Sequence, residues 1–339
     1  MIFENCELYN IEQLEKGKYG YRPMRLKTEF ADDTGEFIKN DNNYAICGAE
    51  IRFVLLGGSA CIKIYNTNDD KNAFDPLVRF DGDFQVGWQS KQVYNLSSGL
   101  NEIVIEPPKE YDDYLKVYKE LGHTFHPSVV RLFMPGAKTL EIVEIRGDIC
   151  PPKADQTPKT QMCIFGSSIT HGSMALLPNT VYPAILARKL KCNIRNLGFA
   201  GSCYIDKGVA DHIAALPECD LLISELGTNC YSYITDEEFL RRTDYLINTY
   251  YNAHPKGKMI IIDTFRMDST ADGCREMVKK FYENNKNKYK DFYYLCGKDI
   301  LKTYLNVTGD FIHPSTDGQN KIAEELYNFI TAKKLLCSK

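Results

Sequence analysis

Residues 162–172 read MCIFGSSITHG: an apolar run, a glycine, two serines, and a second glycine four residues after the last serine. If a buried strand stops at Gly166 and a helix follows, a serine in the turn projects its hydroxyl at the carboxyl edge of a sheet, near the positive end of a helix dipole. That placement suits a nucleophile at Ser168 whose attack creates an oxyanion. The same letters also spell a helix N-cap at Ser167, Ser168 or Thr170. The remainder of the chain has to decide between them.

Around this stretch apolar strands alternate with helices. The strands are QMCIFG (161–166), NIRNLG (193–198), DLLISELG (220–227), KMIIIDTF (258–265) and DFYYLCG (291–297). The helices are VYPAILARKL (181–190), DEEFLRRTDYLINTYYNA (236–253), GCREMVKKFYENN (273–285) and a last one from about Ser315 to Lys333. Such alternation predicts a parallel sheet covered on both faces, with ligands bound at the carboxyl ends of its strands. Upstream the rhythm differs. From Tyr44 to about Asp148 short β-rich runs (AEIRFVLL, ACIKIY, NEIVIEP, VVRLFMPGAKTLEIVEIRGD) are separated by turn residues, which predicts an antiparallel β-sandwich, with one short helix around KEYDDYLKVYKELG (109–122). DICPPKADQTPKT (148–160) has three prolines and no periodicity, as a linker does. Two domains are expected, 1–150 and 151–339.

Composition narrows the partners. With 41 basic against 45 acidic residues and no block of like charge, the chain builds no field for nucleic acid or anionic membranes, and no apolar stretch approaches the length of a membrane span. A small-molecule partner is expected, and a homo-oligomer is compatible. The first twenty residues lack the apolar core of a signal peptide, so the expected location is cytoplasmic. The twelve cysteines are scattered, several within apolar runs, with no C-x-x-C pair and no zinc-ligand spacing, so they read as structural thiols and no metal is expected.

A serine hydroxyl is a weak nucleophile until a base takes its proton, so the nucleophile reading needs a histidine with an orienting carboxylate. Of six histidines, His313 in TGDFIHPSTDGQNKIAEEL follows Asp310 by three residues and precedes the last helix. In a turn, that spacing lets the carboxylate meet one ring nitrogen while the other faces the serine. His171, His212 and His254 have no acid three residues before them, and Glu120-x-x-His123 lies in the β-rich half. The developing oxyanion needs fixed donors as well. NLGFAGS, after the second strand, offers the Gly201 backbone N–H, and ELGTN, after the third, offers the Asn229 amide. Each of these segments alone is also an ordinary turn or cap.

Taken as a set, GSSITHG, NLGFAGS, ELGTN and DFIHP resemble the four sequence blocks of the SGNH or GDSL hydrolase superfamily, named for its Ser, Gly, Asn and His. The resemblance covers about residues 160–335. It implies a flavodoxin-like three-layer α/β fold and ester or thioester hydrolysis without metal or other cofactor. Ser168 would be the nucleophile, Asp310 and His313 the dyad behind it, and Gly201, Asn229 and the Ser168 backbone N–H the oxyanion hole. The first half is similar to the N-terminal sandwich of one two-domain branch of that superfamily. Two positions depart from the pattern: the usual Asp of the first block is Ser167 here, and the usual Asp after the third-block asparagine is Cys230. Both are commonly supporting residues. The serine is also outside G-x-S-x-G, since position 170 is Thr.

The segment GSMALLPNTVY (172–182) is short and has no long apolar lid, which suits a small acyl group, acetyl above all. A sandwich beside such a domain suggests acetylated carbohydrate by analogy, with Trp88 in DGDFQVGW as a possible sugar platform. Two other functions fit the same residues: an acyltransferase using the same acyl-serine, and a carbohydrate-binding protein whose hydrolase domain has decayed.

Overall fold

A computed structural model of the chain describes residues 1–70, 72–87, 91–122, 124–231, 233–265 and 269–336. In the parallel sheet the strands lie in the order Asn193–Gly198, Gln161–Gly166, Leu221–Glu225, Lys258–Ile262, Phe292–Leu295, all parallel, so the first strand is flanked by the second and the third. This is the flavodoxin-like order, and the chain reverses its winding direction at Gln161–Gly166. Alternate residues feed two cores. Cys163, Phe165, Leu222 and Ile261 pack with Val209, Leu246 and Val278 on one face, and Met162, Ile164, Ile223 and Ile260 pack with Tyr182, Leu186, Ile322 and Leu326 on the other. Period-2 burial on both faces is why these strands read as continuous apolar runs.

Among the described helices of eight residues or more, one was not expected: Lys207–Ala214 fills the connection between the second and third strands. Its second residue, Gly208, masks it in the sequence, and the glycine is there for room, because a Cβ would come within 1.9 Å of the Phe30 carbonyl oxygen. The short helix of the first half is present as Tyr111–Leu121, closed by left-handed Gly122.

Among the described residues of the first half, eleven antiparallel strands join in a single hydrogen-bonded sheet. The sandwich arises because one long strand, Glu50–Asn66, changes neighbours midway, pairing with Val129–Phe133 along its first part and Gly99–Ile105 along its second. Ile51 and Phe53 face the core at odd positions, whereas Ala60, Ile62 and Ile64 do so at even ones. The switch falls at exposed Leu56–Ser59, where pairing with Leu140–Cys150 slips register and Gly58 takes φ +62°. A bulge that inverts side-chain parity thus lets both parts of one strand face one core.

The two halves are locked together. Leu26, Ala31 and Ile38, from the first, belong to the same core as Phe165 and Leu197. Buried Glu50 is gripped by Arg131 (2.7 and 2.8 Å) and Arg52 (2.9 and 3.1 Å), and Arg52 also donates to Asn193 Oδ1 at 2.9 Å. Arg25, fully buried, donates to the carbonyls of Gly198 (2.7 Å) and Asn42 (2.8 Å) and lies over the Phe199 ring. Replacing it by alanine removes both of these buried bonds and leaves a cavity, so Arg25→Ala is expected to cost about 3 kcal/mol in urea unfolding with an unchanged slope. A cost below about 1 kcal/mol would show that water repairs the gap.

Candidate active site

The turn after Gln161–Gly166 gives its two serines different partners. Ser167 is the N-cap of the four-residue helix Ser168–His171, its Oγ accepting the Ile169 N–H at 3.2 Å. Ser168 Oγ instead lies 2.8 Å from His313 Nε2, and His313 Nδ1 lies 2.6 Å from Asp310 Oδ2. The other Asp310 oxygen accepts the N–H groups of Ile312 (2.9 Å) and His313 (3.0 Å) and the Thr308 hydroxyl (2.9 Å). Burial by itself would raise the Asp310 pKa, but the bonds from the His313 ring and N–H, the Ile312 N–H and the Thr308 hydroxyl together hold it far below the usual carboxylate range. Asp310 is therefore ionised at neutral pH and fixes the imidazole with its proton on Nδ1, leaving Nε2 to accept from the serine.

The turn that holds the dyad is tightly tied. The Thr308 N–H donates to the His313 carbonyl at 2.8 Å, and Ser315 caps the final helix, Thr316–Ala332, through Gly318 N–H at 3.2 Å. Phe311 sits at φ +59°, an uncommon conformation for an aromatic residue.

Gly201 has φ +69° and no atom within 4 Å of where a Cβ would lie, so conformation rather than space asks for glycine there. Asn229 Oδ1 accepts the Cys203 N–H at 3.1 Å, which turns the amide so that its NH2 is the end left to donate. The second and third blocks are thus joined to each other, as the first and fourth are through Ser168 and His313. The two departures also find partners. Cys230, buried, donates its thiol to the Cys203 carbonyl at 3.3 Å. Ser167 donates its N–H (2.8 Å) and hydroxyl (2.7 Å) to Glu225 Oε2. Glu225 is the residue that sequence reasoning missed. Its only signal is an acid closing the apolar run DLLISE.

The remaining candidates stand elsewhere. His254 Nε2 faces the Ile213 carbonyl (3.2 Å), His171 Nδ1 the Gly198 carbonyl (3.4 Å), and His212 is buried, its pKa pushed down to about 3 by desolvation and then by Arg195, Lys27 and Arg25. His123 and Trp88 lie outside the described residues. Among the described residues no group of three or more His, Cys, Asp or Glu side chains could hold a metal ion, and no helix is long and apolar enough to cross a membrane. Next to the helix Ser168–His171, a cleft of about 610 Å³ opens between the two halves, lined by Cys47, Phe74, Asp75, Gly136, His171 and Met174 among others.

This fold and these residues place the chain in a family. Residues 159–331, slightly over half of it, match the GDSL-like lipase/acylhydrolase family, and the chain belongs to that family. Solved structures extend the likeness over both halves. A salicylyl-acyltransferase, SsfX3, from a tetracycline biosynthetic pathway superposes with a TM-score of 0.78 at 16% identity, covering 99% of this chain and 97% of that one. A protein described as a GDSL-like lipase from Bacteroides ovatus gives a TM-score of 0.67 at 20% identity, covering 98% and 99%. A family two carbohydrate esterase from Clostridium thermocellum gives 0.59 at 14% identity, covering 85% and 93%. At these identities the likeness is one of fold. No curated protein matches the chain at the sequence level.

Proposed function

We propose that the chain is a serine esterase that removes short acyl groups, acetyl first, from carbohydrate through an acyl-serine intermediate. One observation carries the reading: the continuous hydrogen-bonded chain Ser168–His313–Asp310 at the carboxyl edge of the sheet. His313 takes the Ser168 proton as Oγ attacks the ester carbonyl, and gives it to the leaving alcohol as the tetrahedral intermediate collapses. Water, deprotonated by the same imidazole, then attacks the acyl-serine and releases the acid. The backbone N–H groups of Ser168 and Gly201 and the Asn229 amide are assigned to the oxyanion. The carbohydrate part of the reading is supported by the short 172–182 segment, the cleft between the halves, and the resemblance in fold to carbohydrate esterases.

The expected result with 4-nitrophenyl esters is hydrolysis of the acetate in the presence of chelator, falling steadily from acetate to octanoate. Activity that disappears with chelator and returns with zinc would overturn the serine mechanism, and a preference for octanoate would overturn the acetyl assignment. A second reading, acyl transfer to an alcohol, is favoured by the end-to-end likeness to an acyltransferase. The partition of the acyl group between water and an added sugar measures which acceptor wins.

A further inference from the structure

Glu225 closes the third strand, Leu221–Glu225, and none of its surface is exposed. Its Oε2 accepts the Ser167 N–H (2.8 Å), the Ser167 hydroxyl (2.7 Å) and the Thr170 hydroxyl (3.2 Å), and its Oε1 accepts the Thr228 hydroxyl. No basic side chain belongs to this set. Burial raises its pKa, while the Thr228 hydroxyl, the Ser167 N–H and hydroxyl and the Thr170 hydroxyl work against that rise. Space has been cleared for the carboxyl group: a Cβ on Gly166 would lie 2.7 Å from Oε2 and 2.1 Å from Thr170 Oγ1.

We infer that Glu225 is the positioning residue of the nucleophile turn, a carboxyl group that the third strand supplies to hold Ser167 and Thr170. The inference rests on the Ser168 reading above. By holding both the N–H and the hydroxyl of Ser167 on one oxygen, Glu225 fixes the backbone of that residue at φ −82° and ψ −160°. Those angles set the direction of the next N–H, that of Ser168, and the approach of Ser168 Oγ to His313. Thr170, one turn of the helix on, is tied to the same oxygen and to the Tyr182 hydroxyl at 2.7 Å, so the whole Ser167–Thr170 segment is anchored at a single atom. With a carboxyl group at 167 as well, the two acids in this buried pocket could not both be ionised, because like charges there would repel.

The test is a cycle of variants read by the rate at which a fluorophosphonate labels Ser168 and by kcat and KM for 4-nitrophenyl acetate. Glu225→Gln keeps an acceptor for the Ser167 and Thr170 donors, with Thr228 turning its hydroxyl to accept, and is expected within threefold of wild type. Glu225→Ala is expected to lose a hundredfold or more in labelling rate and kcat with KM within twofold. Ser167→Asp is expected to reduce both rates tenfold in the wild type and to restore at least tenfold in the Glu225→Ala background. That reversal of sign is what a general loss of stability would not produce. If Glu225→Ala does not fold, the comparison passes to Glu225→Gln, where Ser167→Asp is expected to be harmless.

Glu225→Ala labelled at the wild-type rate, a loss confined to KM, or Ser167→Asp equally harmful in every background would each overturn the inference. A wild type that is labelled on Ser168 yet hydrolyses no ester would overturn the esterase reading alone, because labelling still ranks the variants. A wild type that is not labelled at all would overturn both.

Discussion

Ser168→Ala is expected to lower kcat for 4-nitrophenyl acetate by roughly 10⁴-fold or more, because the base and the oxyanion donors act as a unit with the nucleophile. The removed hydroxyl is the one 2.8 Å from His313 Nε2, and no other hydroxyl shares that ring nitrogen among the described residues. Ser167→Ala makes the contrast. It deletes the cap to Ile169 N–H and one of two bonds to Glu225, but the Ser167 N–H still reaches the carboxylate. The loss expected is tenfold at most, about 1.4 kcal/mol of barrier, as for one positioning hydrogen bond. A fluorophosphonate should label the wild type and Ser167→Ala but not Ser168→Ala, with the adduct found in the peptide containing GSSITHG. Labelling on Ser167, or wild-type turnover by Ser168→Ala, would return the stretch to a plain strand end and cap.

Much of this was legible in the sequence because it depends on local periodicity. Met162, Ile164, Cys163 and Phe165 are buried on alternate faces of one strand, and both faces demand apolar residues, so the run announces itself. Ser168, Asp310 and His313 were legible for a related reason, since each sits just beyond a strand or just before a helix, where chain geometry limits what a side chain can face. Glu225 was not, because the same acid would serve equally as the polar end of a strand. What distinguishes it is the proximity of Ser167 and Thr170, over fifty residues earlier in the chain, and that is tertiary information. Leu26, Ala31 and Ile38 were hidden in the same way. By sequence they fall in the first domain, 1–150, yet they complete the core of the α/β half, pinned by Arg25 to Gly198. The parity switch in Glu50–Asn66 was hidden for another reason: Gly57-Gly58 looks like a turn between two strands, whereas one strand runs on through it with a slip in register.

Asp310→Asn is expected to cost about 10³–10⁴-fold in kcat, roughly 4–5.5 kcal/mol of barrier, with little change in KM. The argument runs through tautomers. Asp310 Oδ2, 2.6 Å from His313 Nδ1, accepts that nitrogen's proton and so keeps the Nε2 lone pair facing Ser168. An asparagine in the same rotamer can keep Oδ1 on the N–H groups of Ile312 and His313 and present its NH2 to Nδ1. Nδ1 must then accept, the proton moves to Nε2, and the imidazole donates to the serine instead of taking its proton. The turn stays folded while the base is lost, so the variant should be labelled by fluorophosphonate as slowly as it turns over. The sign of the pH effect follows from the depressed Asp310 pKa. A carboxylate held below its unfolded value stabilises the fold above about pH 3.9 and loses that contribution only as pH falls through the folded value, so Asp310 keeps its charge throughout pH 5–9. Its titration cannot shape the activity profile there. If the Asp310→Asn loss is less than tenfold at pH 8 the carboxylate is dispensable, and the dyad reduces to a histidine held by its own backbone.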